Sequence, residues 1–358
     1  MASFATLAKA QDSGDLQAIF DSAAKEATNV NGVRVFAGPP KGFDPLKATD
    51  RELASYGLPQ RPDKTTEPRI YQNWERAMQA AKHRAPAKLD VKSLFQHKPE
   101  TGSVQGCGRL RWSEPCQLVQ LEWHCIHEQE QKLERQDLIP GSAVGLQRAV
   151  AQPPFGACGA GIVGPFYEVS WNGIDGFSNG DVVQGGSLSA ADCNGNTAYE
   201  AWVEWFPSYP ILGVFGVNPG DDMYVVTYGF PGTSTQQVFV EDITTQTFGT
   251  YSLPYVTGPG LVGSSAEWIV ERPCCASNGF PLALANTVYD FFNYDFAGTG
   301  VKVFYPGSQT PATYNITMLA DDGVTPIEYV QAGKTGPQGL ESLWFYDSDC
   351  AYSGGCTP

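Results

Sequence analysis

Three short segments in the second half of the chain concentrate side chains able to do acid–base chemistry. The first is Trp171-Asn172-Gly173-Ile174-Asp175-Gly176, followed by Val182-Val183-Gln184-Gly185-Gly186-Ser187. The second is Tyr199-Glu200-Ala201-Trp202-Val203-Glu204-Trp205-Phe206-Pro207, and the third is Ser264-Ser265-Ala266-Glu267-Trp268-Ile269-Val270-Glu271-Arg272-Pro273. A carboxylate can exchange a proton with water, and a carboxamide can donate a hydrogen bond to a developing oxyanion. The chain's four histidines, His83, His97, His124 and His127, all precede residue 151. The later half therefore holds no Ser-His-Asp triad, no Cys-His pair and no HExxH zinc site. The Asp-Ser/Thr-Gly tripeptide that a one-chain aspartic peptidase needs twice occurs once, at Asp12-Ser13-Gly14. A hydrolase built from this half works with carboxylates, amides and water, and needs neither metal nor organic cofactor.

Strands are the elements that must position these groups. Alternation puts Trp202 and Glu204 on one strand face, with Tyr199, Ala201, Val203 and Trp205 on the other. Likewise Glu267, Ile269 and Glu271 share a face opposite Trp268 and Val270. A face mixing Trp with carboxylates suits a ligand cleft, and an ordinary solvated sheet face with a few aromatics is the plainer reading. Short apolar or alternating runs separated by turn residues recur at Tyr199–Phe206, Met223–Phe230, Gln237–Val240, Ala266–Glu271, Val301–Tyr305 and Ser342–Tyr346. With 39 Gly, 26 Pro and 17 % charged residues, that spacing argues for an all-β antiparallel sandwich over a helical fold.

Charge divides the chain. Residues 1–150 hold 20 Lys/Arg against 18 Asp/Glu, and residues 151–358 hold 3 against 20. An acidic half with three cations excludes a phosphate-binding, nucleic-acid role. It suits work at low pH, where its carboxylates lose charge, although acidity also serves solubility. No apolar run reaches the length of a membrane span. Residues 15–28 and 73–84 are expected as short amphipathic helices, the second capped by Asn73, with Pro-rich extended chain and turns between them. Residues 103–150 have no clean period and form an anomalous linker; an unspliced intron or a frame shift is the sharper alternative. Nine cysteines leave at least one unpaired, and Cys350 and Cys356 could close a short loop in an oxidising compartment. The first residues lack the charged start and apolar core of a signal peptide.

The three segments, in order and correctly spread, resemble the glutamic peptidases (eqolisins). The shared features are the Trp-x-Gly-Ile-Asp-Gly block, the Gln-x-Gly, the Glu-x-Trp-x-Glu-Trp block and the Ala-Glu-Trp-Ile-Val-Glu block, spread over most of residues 155–345. The resemblance implies two curved antiparallel sheets stacked in a lectin-like jelly roll, with the active site on the concave face. It implies Gln184 and Glu267 as the catalytic pair of an acid endopeptidase, and Trp171, Asp175, Trp202 and Glu204 as residues that line or support the cleft. Two departures stand out. Gln184 is followed by Gly185-Gly186-Ser187-Leu188, where many members carry an acidic residue, and an Asn-Trp-Ser-Gly-like first strand is represented by Arg111-Trp112-Ser113 alone.

Gly42-Phe43-Asp44-Pro45-Leu46 and Tyr56-Gly57-Leu58-Pro59-Gln60-Arg61-Pro62 also resemble segments that precede catalytic domains in this family. The expected organisation is a pro-segment over 1–102, the linker over 103–150 and the catalytic sandwich over 151–358. The expected partners are polypeptide substrates and the chain's own pro-segment, held by charge and released in acid. The expected state is a secreted monomer that binds neither nucleic acid nor membrane. Rival readings are a carbohydrate-binding sandwich, a glycoside hydrolase using two carboxylates such as Glu204 and Glu267, and an inactive family member.

Overall fold

The computed structural model describes residues 18–65, 68–85, 89, 141–147, 151–152, 166–176, 180–229, 235–254, 261, 266–271, 284–285, 289–292, 318–319, 326–335 and 341–347. Strands dominate them. In the first part of the chain these are β1 (Thr28–Val30), β2 (Val33–Val35), β3 (His83–Arg84), β4 (Gly141–Gln147) and β5 (Ala151–Gln152). Then come β6 (Phe166–Asp175), β7 (Val182–Ala191), β8 (Thr197–Phe206), β9 (Tyr209–Gly216), β10 (Met223–Gly229), β11 (Thr235–Asp242), β12 (Thr247–Pro254) and β13 (Ala266–Glu271). The alternating runs expected at 199–206, 223–230, 237–240 and 266–271 are strands within two residues of those bounds. Val301–Tyr305, the 350/356 cysteine pair and residues 103–140 lie outside the described residues.

Two antiparallel sheets make the sandwich. One has the strand order β13-β6-β7-β8-β9, and the other runs β1-β2-β12-β11-β10-β4 with β3 paired to β12. Alternate residues of each sheet meet between them: Ile174, Val183, Val203 and Trp205 from the first, Val225, Val238, Val240 and Tyr251 from the second. Removing such a side chain from water contributes about 1.5–3 kcal/mol, so this layer fixes which face of each strand points outward. The sheets approach closely at Gly185, where a Cβ would lie 2.5 Å from Val238 Cγ1. One polar clamp crosses the same layer. Asn172 Nδ2 donates to Val225 O at 2.9 Å, and Thr227 Oγ1 donates to Asn172 Oδ1 at 3.0 Å. Buried polar groups so paired hold register where apolar contact alone would tolerate sliding.

The chain's beginning is built into the second sheet. Asn31 and Gly32, with φ of 53° and 91°, form the tight turn of the β1–β2 hairpin, the backbone such turns require. Helical residues 18–25 (α1), α2 (Asp50–Ser55) and α3 (Pro68–Ala80) lie on that sheet's outer face. Phe20, Leu53, Leu58, Trp74 and Met78 pack there against Tyr224, Val226, Phe239 and Phe248. The expected cap at Asn73 is displaced, since α3 begins five residues earlier at Pro68, and Asn73 sits buried inside it. Proline at a first helical position has no N–H to leave unsatisfied. The stretch expected as extended chain also contains a helix, α2, closed by a capping box between Thr49 and Glu52. The end of the expected linker, residues 141–147, is strand β4 paired to β10.

Candidate active site

Register across four adjacent strands forms one transverse row. Glu267 pairs with Gly173, Gly173 with Gln184, and Gln184 with Glu204. Directly paired residues of antiparallel strands project to the same side. Ile174, Val183 and Val203, one position away, face the inter-sheet core. The row therefore faces away from the second sheet. Its middle member has no side chain, and the Glu267 and Gln184 backbones lie about 9–10 Å apart, two strand spacings. A Cβ at Gly173 would lie 3.0 Å from the Trp171 ring and 3.0 Å from Val183 O, already tight.

The Glu267 carboxyl has a defined seat. Strand β6 ends in a turn with Asp175 at φ 66° and Gly176 at φ 107°. A Cβ at Gly176 would sit 3.1 and 3.2 Å from the two Glu267 carboxyl oxygens. The carboxyl rests where only glycine leaves room, and Asp175, fully buried, anchors the turn that provides it. Glu267 itself is partly buried.

Gln184 is oriented from its other side. Its Nε2 donates to Glu204 Oε2 at 2.5 Å. Gln184 and Glu204 are 6 % and 8 % exposed, so the bond forms largely away from water, where it is strongest. Gln184 Oε1 and Trp202 Nε1 are both buried and have no hydrogen-bond partner among the described residues. The neighbouring row runs Ile269, Trp171, Gly186, Trp202, so two indoles flank a second glycine. Val169, Leu188 and Val182 complete an apolar cluster with them. Leu188, four residues after Gln184, belongs to this cluster and is 1 % exposed.

All six residues singled out from sequence lie on β6, β7, β8 and β13. Gln184, Glu204 and Glu267 share one row, Trp171 and Trp202 the next, and Asp175 the adjoining turn. Gly173 and Gly176 were missed as site residues. Their signal was present, since both glycines of the Trp-x-Gly-Ile-Asp-Gly block sit where side chains must be absent. Among the described residues no cluster of three or more His, Cys, Asp or Glu is placed to hold a metal ion.

A family model described as the Peptidase A4 family matches residues 158–324. That stretch is similar to the Peptidase A4 family, the glutamic peptidases. The Peptidase A4 segment contains every residue of both rows. Over 103 residues the chain is 30 % identical to Aspergillopepsin-2 of Aspergillus niger, an alignment spanning 28 % of this chain and 36 % of that protein. Among solved structures, scytalido-glutamic peptidase with a transition state analog inhibitor is similar at a TM-score of 0.44 and 18 % identity, over 58 % of this chain and 92 % of that one. Aspergilloglutamic peptidase from Aspergillus niger is similar at a TM-score of 0.41 and 22 % identity, over 51 % of this chain and 99 % of that one.

Proposed function

We propose that this protein is a secreted acid endopeptidase whose Glu267 and Gln184 hydrolyse peptide bonds of polypeptide substrates. The observation that carries the reading is the row Glu267–Gly173–Gln184–Glu204, which sets a carboxyl and a carboxamide on either side of a gap without a side chain. In this reading the scissile peptide group and a water lie between the Glu267 and Gln184 side chains. The Glu267 carboxylate takes a proton from the water as its oxygen bonds to the carbonyl carbon. Gln184 Nε2 has two hydrogens: one is held by Glu204, and the second stabilises the oxyanion. As the C–N bond breaks, protonated Glu267 returns the proton to the leaving nitrogen, giving a carboxylic acid and an amine. An amide keeps its donor in acid, where a second carboxylate would change state.

The bare Gln184 Oε1 and Trp202 Nε1 support a peptide as substrate, because a backbone offers one N–H and one C=O per residue. The buried indoles of Trp171 and Trp202 supply an apolar wall for its side chains. Cys193 is disulfide-bonded, which suits an oxidising, extracytoplasmic setting. No helix among the described residues is long and apolar enough to cross a membrane. In this reading residues 151–358 are the catalytic domain, working as a monomer, and residues 1–102 precede it as a segment required for folding.

The test is digestion of an unfolded protein at about pH 3–4, comparing the unchanged chain with Glu267→Gln. Fragments from the unchanged chain and none from the variant support the assignment. Equal digestion by both overturns the catalytic role of Glu267. No digestion by either, with a folded sandwich, favours an inactive member of the family.

A further inference from the structure

We propose that the outer face of the seven-stranded sheet is a lasting docking surface for residues 18–89 of the same chain, which stay bound there as a noncovalent subunit when the connection between the two is cut. The inference concerns a different face from the active-site row and holds whether or not that row cleaves peptides.

Three kinds of contact carry it. The first is a shared core: Phe20, Leu53, Leu58, Trp74 and Met78 come from the N-terminal segment, and Tyr224, Val226, Tyr228, Phe239 and Phe248 come from the sheet. Departure would leave five large apolar side chains of the sheet as one exposed patch, which soluble proteins seldom show. The second is backbone pairing. Strand β12 is covered along one edge by β2 and β3, with Phe36 N donating to Thr250 O, His83 N to Gln246 O and Ala85 N to Phe248 O at 3.0, 2.8 and 2.7 Å. An uncovered β12 becomes an open edge strand. Val33 and Val35 of β2 also reach into the inter-sheet core, and the turn at Gly32 meets the Tyr209 hydroxyl of the opposite sheet.

The third is a polar seat for the Tyr56–Pro62 motif. Gly57 O accepts from Gln237 Nε2 at 3.3 Å and Thr250 Oγ1 at 3.0 Å, and Gln60 N donates to the Tyr228 hydroxyl at 2.9 Å. Arg61, rather than meeting an acid of the catalytic half, donates to the carbonyls of Pro45, Leu46 and Ala48 and lies 5.1 Å over the Trp74 ring. Its charge folds the N-terminal segment itself. The ion pair Arg76–Asp222 does cross the boundary, but neither the apolar core nor the backbone pairing depends on protonation. This differs from the charge-held, acid-released association that composition suggests. The segment also lies on the far side of the sandwich from Gln184 and Glu267, so clearing their row does not require it to leave.

The experiment uses the full chain carrying Glu267→Gln, so that self-digestion does not enter. The recognition sequence of a site-specific endopeptidase is inserted after Gly102, and complete cutting is confirmed on a denaturing gel. The cut protein is then run through a sizing column at neutral pH and at about pH 3.5. Co-elution of both fragments at both values, with separation in concentrated urea, is the expected result. Free N-terminal fragment at acid pH overturns the proposal. The same cut protein with Trp74→Ala is expected to release the fragment at both values. Full retention by that variant would mean the shared core is not what holds it.

Discussion

Gln184 donates its amide N–H to Glu204 Oε2 at 2.5 Å from directly paired positions on neighbouring strands, with both side chains buried. A carboxamide has two chemically opposite ends, and this bond selects which of them turns toward Glu204. A typical hydrogen bond contributes about 0.5–1.5 kcal/mol, which favours one orientation of the amide. In the proposed mechanism Glu204 acts through Gln184, as a positioning residue.

Glu204→Gln replaces the carboxyl by an amide with its own N–H donors and lets the Gln184 amide turn over. The expected outcome is a loss of roughly ten- to a hundredfold in kcat with a smaller change in KM, the pattern of a group that matters in the transition state. Steady-state kinetics on a short peptide at acid pH would show it. An equal loss confined to KM would mean that Glu204 serves binding instead.

Gly176→Ala meets two obstacles at once: a φ of 107° and a Cβ 3.1–3.2 Å from the Glu267 carboxyl. Strain at such a φ costs on the order of 1–3 kcal/mol, and the carboxyl must also move. A lower melting temperature together with a larger fall in kcat than stability alone explains is expected. A variant with unchanged kcat would show that the seat at Gly176 does not set the position of Glu267.

Glu241 gives the fold an acid preference. It is fully buried under α3, neither carboxyl oxygen has a hydrogen-bond partner, and burial first, then nearby Asp242, push its pKa well above the ordinary 4.5. Arg76 of α3 opposes that shift. The same surroundings include Asp221, Asp222 and Tyr224, and His83 and Arg84 on β3, which pairs with β12 beside Phe248. Burial also raises Asp242. A carboxyl whose folded pKa is raised stabilises fully below its unfolded value, and that stability is lost as pH rises through the folded value. Glu241→Gln is therefore expected to match the unchanged protein in acid and to exceed it increasingly toward neutral pH. Urea unfolding at a series of pH values measures this, and a variant that is weaker in acid and equal at neutrality would reverse the sign.

Trp74 is the largest side chain that α3 buries, fully enclosed, with its indole N–H donating to Pro59 O at 2.9 Å. Trp74→Ala is expected to cost about 3–5 kcal/mol. Because the residue belongs to the core on the second sheet's outer face, the loss should appear in unfolding of the whole sandwich. An independent, earlier transition of the N-terminal segment alone would contradict that coupling.

Much of the site was legible because strand alternation is local. The faces of Trp202, Glu204, Glu267 and Ile269 follow from position along each strand, and the structure keeps them. The row was not legible from spacing, because the pairing of Glu267 with Gly173 joins strands almost a hundred residues apart in the chain. Family resemblance supplied the pair Gln184 and Glu267, and the register places both positions in one row across Gly173. The N-terminal half misled for a different reason. Its charge suggested a segment held electrostatically and released in acid, and its prolines suggested extended chain, while its local signals were specific: Asn31-Gly32 for a hairpin, Thr49-x-x-Glu52 for a helix start, and Pro68 for the first turn of α3. What those pieces pack against could not be read from them, since the apolar partners lie on β10, β11 and β12.

The most direct measurement of the central claim compares peptide hydrolysis by Gln184→Ala, Glu267→Gln and the double variant. The account predicts that each single change removes most of kcat, about a hundredfold or more, and that the double change removes little beyond the worse single one, because the two groups act on one water and one carbonyl. Losses that multiply in full, or a single variant with unchanged kcat, would contradict a shared site across Gly173.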